Sequence, residues 1–226
     1  MANVPVDKPT LVDQVDAWLP QTQCTKCGYP RCRLYAEAIV HGESDINQCP
    51  PGGDVTITAL AASLNVPAKP LNRDYGEYKP RMLAVIDEAR CIGCALCLPA
   101  CPVDAILGTA KKMHTVIANE CTGCELCVAP CPVDCIALVA VENTADYHNQ
   151  PWPDYSREQV DRARSRTHAH LRRLEQQNAY SSGCHQARRN QPSLAPTKAK
   201  IRDEIQAAVQ RVRTRKLRGT SKTGRE

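Results

Sequence analysis

The sequence contains no phenylalanine, and aromatic residues make up only 4% of its 226 positions. Large aromatic side chains normally supply much of the apolar area that a compact core buries. A chain of this length can form one medium domain or two small ones. Because the usual core fillers are scarce, we expect something other than aromatic packing to hold the fold together.

Segments that would send the chain into or across a membrane are also missing. The opening stretch "MANVPVDKPTLVDQ" places Asp7 and Asp13 where the apolar core of a secretory signal would run. No apolar run approaches the roughly 18 residues that cross a bilayer. We therefore expect a protein of the reducing cytoplasm, with any membrane contact peripheral and on the cytoplasmic face of the inner membrane.

The motifs of independent catalysis are absent as well. The sequence shows no Ser/His/Asp set, no pair of catalytic carboxylates, no Walker loop and no dinucleotide-binding G-x-G-x-x-G. We expect no separate site of substrate turnover.

Cysteine, in contrast, is abundant. The chain has 14 cysteines, most of them separated by two or three residues. In a reducing compartment such clusters indicate metal ligation rather than disulfides.

Residues 82–140 contain an internal duplication. "VIDEARCIGCALCLPACPVDAIL" is followed about thirty residues later by "VIANECTGCELCVAPCPVDCIAL". Each copy contains C-x2-C-x2-C-x3-C-P, the run of bacterial two-cluster ferredoxins, in which the fourth cysteine ligates the other copy's cluster. The pattern predicts a unit with pseudo-twofold symmetry and two [4Fe–4S] clusters. Site 2 would use Cys91, Cys94, Cys97 and Cys131, and site 3 would use Cys101, Cys121, Cys124 and Cys127.

A third group of thiols precedes this repeat, in the stretch "QTQCTKCGYPRC". A predicted helix over residues 33–41 must double back, which returns a fourth cysteine to the same loop. Site 1 would then consist of Cys24, Cys27, Cys32 and Cys49, with the spacing C-x2-C-x4-C-x16-C. A third [4Fe–4S] cluster is the favoured interpretation, and structural zinc is the main alternative.

Together these patterns predict an α+β fold in four parts. Residues 1–64 would form a small helical iron–sulfur domain, 65–81 a linker, and 82–142 the two-cluster ferredoxin-like domain. Residues 143–226 would form a basic helical extension that is partly flexible. Within it we predict a capping box at Ser156 and Gln159, and a flexible loop over residues 179–196.

The charge of the chain is divided unevenly. Residues 1–156 carry 11 Lys and Arg against 18 Asp and Glu, whereas residues 157–226 carry 18 against 6. The apolar stripe Ile201, Ile205, Val209 and Val212 lies on a predicted basic helix. The positive charge of residues 157–226 favours docking to an acidic redox partner or to an anionic membrane surface. Nucleic acid is disfavoured because Tyr180 is the segment's lone aromatic residue.

The cysteine-rich segments and their surroundings resemble the B subunit of the Rnf (Rsx) electron-transport complex, a bacterial ferredoxin-like protein. The resemblance is carried by "LPQTQCTKCGYPRCRLYAEAI", "CPPGGD", "RCIGCALCLPACPVDAI", "KKMHTV" and "ECTGCELCVAPCPVDCI", and it covers residues 9–140. It implies a one-electron carrier between a soluble donor or acceptor and membrane-bound flavin subunits. Members of that family usually begin with an apolar membrane anchor, which is not found in this sequence.

Several residues near these motifs have two interpretations. Cys135 stands where the first copy has Ala105, so it is expected to be a packing residue, with a redox role as the alternative. His114 is expected to pack on the strand that enters the second copy, or else to tune a cluster through a hydrogen bond. Lys111 and Lys112 form a solvated turn or orient an acidic partner. Cys184 is expected to be an exposed, unpaired thiol.

The competing function is an iron–sulfur protein that binds nucleic acid or senses redox state through the basic extension. Salt-dependent binding to a polyanion would distinguish this function from electron transfer.

Overall fold

The computed structural model describes residues 8–141, 150–190 and 198–220, and it divides the chain into two compact units between Leu174 and Glu175. The first unit contains a group of helices followed by a region of short strands. The second contains the end of a long helix and one further helix. No helix in the described ranges is long and apolar enough to span a membrane.

Three helices build the N-terminal part of the first unit: α1 (Lys8–Trp18), α2 (Cys32–His41) and α3 (Gly53–Leu64). Their facing sides bury a small apolar core, whose largest fully buried apolar side chains are Val15, Leu19, Tyr35, Ile57 and Leu60. The buried cysteines Cys27, Cys32 and Cys49 belong to the same core. A turn of 3-10 helix, Arg73–Tyr75, follows in the predicted linker.

The repeat folds into two small antiparallel sheets. Strand β1 (Met82–Ile86) pairs with β4 (Ile136–Ala140), and β2 (Ile106–Leu107) pairs with β3 (Thr115–Val116). A single helical turn, α4 (Cys97–Ala100), precedes β2. The outer strands of the repeat therefore close on each other, which brings the end of the second copy beside the start of the first.

Residues 150–174, which we call the clasp, pack against both parts of the first unit. Trp152 is fully buried and its Nε1 donates to the carbonyl oxygen of Trp18 at 2.8 Å. The hydroxyl of Tyr155 donates to the carbonyl oxygen of Thr122 at 3.1 Å. The clasp thus contacts α1 and the second cysteine loop at once, although the sequence assigns it to the basic extension.

The clasp includes the first part of α5 (Arg157–Asn190), and α6 (Lys198–Thr220) follows. The predicted capping box is confirmed: the backbone N–H of Gln159 donates to Ser156 Oγ at 3.2 Å, and the backbone N–H of Ser156 donates to Gln159 Oε1 at 2.9 Å. The prediction of a loop from residue 179 is wrong for residues 179–190, which are helical. No proline occurs between Pro153 and Pro192, so no missing N–H interrupts the backbone hydrogen bonds of this helix. Residues 191–197 lie outside the described part.

Candidate iron–sulfur sites

Site 1 forms where α1, α2 and α3 meet. Cys24 and Cys27 lie in the loop after α1, Cys32 is the first residue of α2, and Cys49 lies just before α3. All four line one pocket. Burial raises the pKa of the Cys32 thiol well above its ordinary value, and charge on Cys49 raises it further. The structure therefore brings together the four thiols that the sequence assigns to site 1.

A chain of buried side-chain hydrogen bonds fixes the loop of site 1. Gln21 Nε2 donates to Asp16 Oδ1 at 3.0 Å, and Gln23 Nε2 donates to Gln21 Oε1 at 2.9 Å. The backbone N–H of Cys32 in turn donates to Gln23 Oε1 at 3.0 Å. Arg164 of the clasp donates to the other Asp16 oxygen at 2.9 Å. The chain of bonds leads from the clasp to a thiol residue, so the loop geometry depends on residues far away in sequence.

Site 2 groups the thiols as the crossed ferredoxin pattern predicts. Burial raises the pKa of the Cys97 thiol, and the charges of three other cysteines raise it further. Those three cysteines are Cys94, Cys91 and Cys131. Cys94 is exposed, whereas Cys97 and Cys131 are buried. Site 2 therefore has one exposed thiol, that of Cys94.

Site 3 is the buried counterpart of site 2. Burial raises the pKa of the Cys127 thiol to about 12, and the other three cysteines of the site contribute to the rise. A single pocket is lined by Cys101, Cys121, Cys124 and Cys127. Buried thiols keep their protons until a metal displaces them, so loading of such a site releases protons.

The two cysteine loops share unusual backbone geometry at positions thirty residues apart. Gly93 and Gly123 have φ values of 68° and 71°, and Asp104 and Asp134 have φ values of 51° and 47°. Left-handed conformations at non-glycine residues are strained and persist where the surrounding structure enforces them. The same departures in both copies indicate that each loop is held in one specific shape.

Backbone amides also point at the thiols. The N–H of Ala105 donates to Cys101 Sγ at 3.2 Å, and the N–H of Cys135 donates to Cys131 Sγ at 3.4 Å. Such bonds stabilise thiolates that carry the negative charge of an iron–sulfur cluster.

The donor sets fit [4Fe–4S] clusters, which are held by four cysteine thiolates. A single zinc ion would hold four thiolates at about 2.3 Å from one point, whereas a cubane distributes its thiolates over separate irons.

Sites 1 and 3 are neighbours. The hydroxyl of Thr122 donates to the carbonyl oxygen of Thr22 at 3.0 Å, and Lys26 pairs with Glu125 at 3.2 Å. Cys24 also lines the same cleft as the site 3 loop. Site 1 therefore lies beside site 3, although site 2 comes first along the chain.

Comparisons with known proteins agree with these features. A family described as "4Fe-4S dicluster domain" matches residues 84–138, and one described as "Putative Fe-S cluster" matches residues 19–51. The chain is 57% identical over 151 residues to the B subunit of the ion-translocating oxidoreductase complex of Alkalilimnicola ehrlichii, a match that covers 66% of this chain and 79% of the relative. The proteins of the same name from Azoarcus sp. and Thiobacillus denitrificans are 60% and 58% identical over 112 and 115 residues.

The chain belongs to the family of B subunits of ion-translocating oxidoreductase complexes. The predicted resemblance is thereby confirmed. The match spans 61% of the length of the Azoarcus and Thiobacillus relatives and 50% and 51% of this chain.

Two contacts in this member of the family go beyond its ligand pattern. His114 Nδ1 lies 3.5 Å from Cys91 Sγ, and Cys135 Sγ lies 3.5 Å from Cys131 Sγ. Burial raises the pKa of the Cys135 thiol to about 12, with a hydrogen bond to Cys131 as the next cause. The sequence signal for these two contacts lies in the repeat, where His114 and Cys135 stand at positions that have alanine in the first copy. The side chain of Cys184 lies outside the described part.

Proposed function

We propose that this chain is a one-electron carrier with three [4Fe–4S] clusters. It would relay electrons between a low-potential soluble donor or acceptor and the membrane-bound flavin subunits of an Rnf-type complex. The observation that carries the proposal is the grouping of twelve cysteines into three sets of four. Each cluster supplies one-electron chemistry when bound. The protein ligates every iron, which leaves no open position for a substrate.

The contacts between sites suggest the order of the relay. Site 1 touches the site 3 loop through Thr22 and Thr122, and sites 2 and 3 exchange their fourth cysteines, Cys131 and Cys101. Electrons would therefore pass between sites 1 and 2 by way of site 3.

The surface near site 2 has the character of a docking face. Cys94 is exposed there, and the backbone N–H of Lys111 donates to the carbonyl oxygen of Gly93 at 2.9 Å, which places a lysine turn on the cysteine loop. Three apolar residues of these segments are 49–60% exposed: Ile92, Leu96 and Met113. An apolar patch beside lysines fits an acidic soluble electron carrier.

The basic C-terminal segment would hold the protein at an anionic membrane surface. Helix α6 exposes the predicted apolar stripe Ile201, Ile205, Val209 and Val212. An amphipathic basic helix binds anionic lipid through its apolar face and its charge. The protein should sediment with vesicles of anionic lipid and stay in solution with zwitterionic vesicles. Equal sedimentation of an Ile205→Glu variant would contradict this part of the proposal.

The central test is metal analysis of anaerobically purified protein, with electron paramagnetic resonance of the dithionite-reduced form. We expect about twelve irons per chain and the loss of about four in a Cys24→Ala, Cys27→Ala double variant. About eight irons and one zinc, with the zinc lost in the variant, would make site 1 structural. Reduced protein that donates electrons to neither flavin nor quinone would contradict the carrier function.

A further inference from the structure

A thirteenth thiol lies beside site 2. Cys135 is 5% exposed, and its Sγ is 3.5 Å from that of Cys131. A thiolate that ligates iron can only accept a hydrogen bond. When Cys131 holds iron, the proton of this contact must therefore belong to Cys135, whose S–H donates to the ligand.

A histidine lies beside another ligand of the same site. His114 is 1% exposed, and its Nδ1 is 3.5 Å from Cys91 Sγ. The ring packs directly on the backbone of Gly108, where an added Cβ would stand 1.8 Å from its Cδ2. By the same reasoning, the Nδ1–H of His114 donates to Cys91 when that residue ligates iron.

The repeat provides an internal comparison for both donors. The strand register pairs Ile86 with Ile136 and Ile106 with Val116, so equivalent positions are thirty residues apart. Ala105 therefore corresponds to Cys135, and Ala84 corresponds to His114. Both alanines line the pocket of site 3. Alanine has no side-chain hydrogen to donate, so site 3 lacks both bonds.

The other donors do not cancel this difference. The amides of Ala105 and Cys135 donate to equivalent ligands at 3.2 and 3.4 Å, one in each site. Thr122 also offers a side-chain hydrogen bond to the Cys124 thiol of site 3, but its one hydroxyl hydrogen is directed to the carbonyl oxygen of Thr22 at 3.0 Å. Two side-chain donors at site 2 therefore stand against this one shared donor at site 3.

We propose that Cys135 and His114 make the cluster of site 2 more readily reduced than the cluster of site 3. This inference rests on the proposed function. Uptake of one electron makes a cluster more negative, and hydrogen bonds to its sulfur ligands stabilise that form. No bond to a ligand changes in the step, and the electron comes from the soluble donor, or from dithionite in the test. An electron that reaches sites 2 and 3 therefore rests at site 2, beside the exposed Cys94.

The test is a potentiometric titration of the purified full chain, followed by electron paramagnetic resonance. Loss of the donors in Cys135→Ala or His114→Leu should lower the one-electron reduction equilibrium constant of site 2 by up to about tenfold, a midpoint shift of up to about 59 mV. Cys135→Ser and His114→Asn keep a donor and should stay near the native midpoint. The signal of site 2 is identified as the one lost in a Cys94→Ala variant.

The reciprocal change, Ala105→Cys, introduces the missing donor at site 3 and should raise the midpoint of that site. Native iron content with unchanged site 2 midpoints in both Cys135→Ala and His114→Leu would overturn the inference and leave the carrier function standing. Native protein that binds no iron would instead overturn the proposed function. The midpoint distinguishes a hydrogen bond from packing alone. Alanine and serine at position 135 are both small, but only serine can donate, so only Cys135→Ala should shift the midpoint of site 2.

Discussion

The tightest approach in the site 2 loop occurs at Gly93. Its φ of 68° lies in the left-handed region, and a Cβ built there would stand 2.6 Å from both the backbone N and the backbone O of Lys112. These are backbone atoms of the turn that carries the lysines, so they cannot rotate aside. We predict that Gly93→Ala disrupts site 2 in particular.

The magnitude follows from a comparison with Gly42. Gly42 also has a positive φ, 75°, but an added Cβ there would meet no atom within 4 Å. Alanine in the left-handed region costs about 1–2 kcal/mol, and this is the whole expected effect of Gly42→Ala. Gly93→Ala adds the cost of overpacking, about 1–3 kcal/mol. The two variants should therefore differ by about 2 kcal/mol in the free energy of unfolding.

The assay is iron content together with thermal bleaching of the cluster absorbance at one fixed heating rate. We expect Gly42→Ala to keep about twelve irons. Gly93→Ala should lose about four and bleach roughly 4–8 °C below the control. If both variants keep their iron and bleach together, the close approach at Gly93 does not constrain the loop, and the reasoning fails.

Three further predictions follow from the clasp and the docking face. Arg166 donates to the carbonyl oxygens of Val103 and Asp104 at 2.6 and 2.7 Å, so Arg166→Ala should cost about 2–3 kcal/mol in urea unfolding, whereas exposed Arg172→Ala should cost almost nothing. Partial burial would raise the pKa of Asp104, but Arg173 and His170 outweigh it and lower that pKa. The ionised carboxylate thus adds stability above about pH 4, and this stability is lost as the pH falls further. Asp104→Asn should lower the urea midpoint at neutral pH, and the difference from native protein should shrink at acidic pH; a constant difference would count against the ion pair. Lys112→Glu should slow electron exchange with an acidic carrier at low salt by about tenfold, measured by stopped flow, and an equal effect of Arg172→Glu would refute the docking face.

The ligand groups could be predicted from the sequence because cysteine spacing is a local property. A loop with two residues between thiols must bring them together, and the fourth cysteine of each copy follows after three intervening residues. The crossed arrangement then needs only the pairing of β1 with β4, which the repeat itself implies. The return of Cys49 to site 1 likewise needs only one helical hairpin. These are short-range constraints, which sequence patterns express well.

The clasp could not be predicted in the same way. Arg164 reaches Asp16 across 148 positions of sequence, and nothing in the local pattern of a basic helix distinguishes an arginine that binds a partner from one that faces solvent. The net charge of residues 157–226 conceals the clasp in the same way. It counts the clasp arginines that bind other parts of the first unit together with the arginines of α6. The contacts of His114 and Cys135 also depend on folding, although the repeat shows which positions break its symmetry.

The structure suggests why the aromatic residues of this chain are tyrosine and tryptophan and never phenylalanine. Four of the described aromatic residues donate a hydrogen bond from their side chain: Tyr35 to the carbonyl oxygen of Asp45, Tyr78 to Asp154, Tyr155 to the carbonyl oxygen of Thr122 and Trp152 to that of Trp18. Burial raises the pKa of Tyr155 well above its ordinary value, which keeps its hydroxyl a donor. Phenylalanine at such a position would fill the space but leave a buried acceptor unpaired, at a cost of about 1–3 kcal/mol. At Tyr35, Trp152 and Tyr155 the ring is buried and its polar hydrogen pairs with a backbone carbonyl oxygen. Only tyrosine and tryptophan serve both purposes.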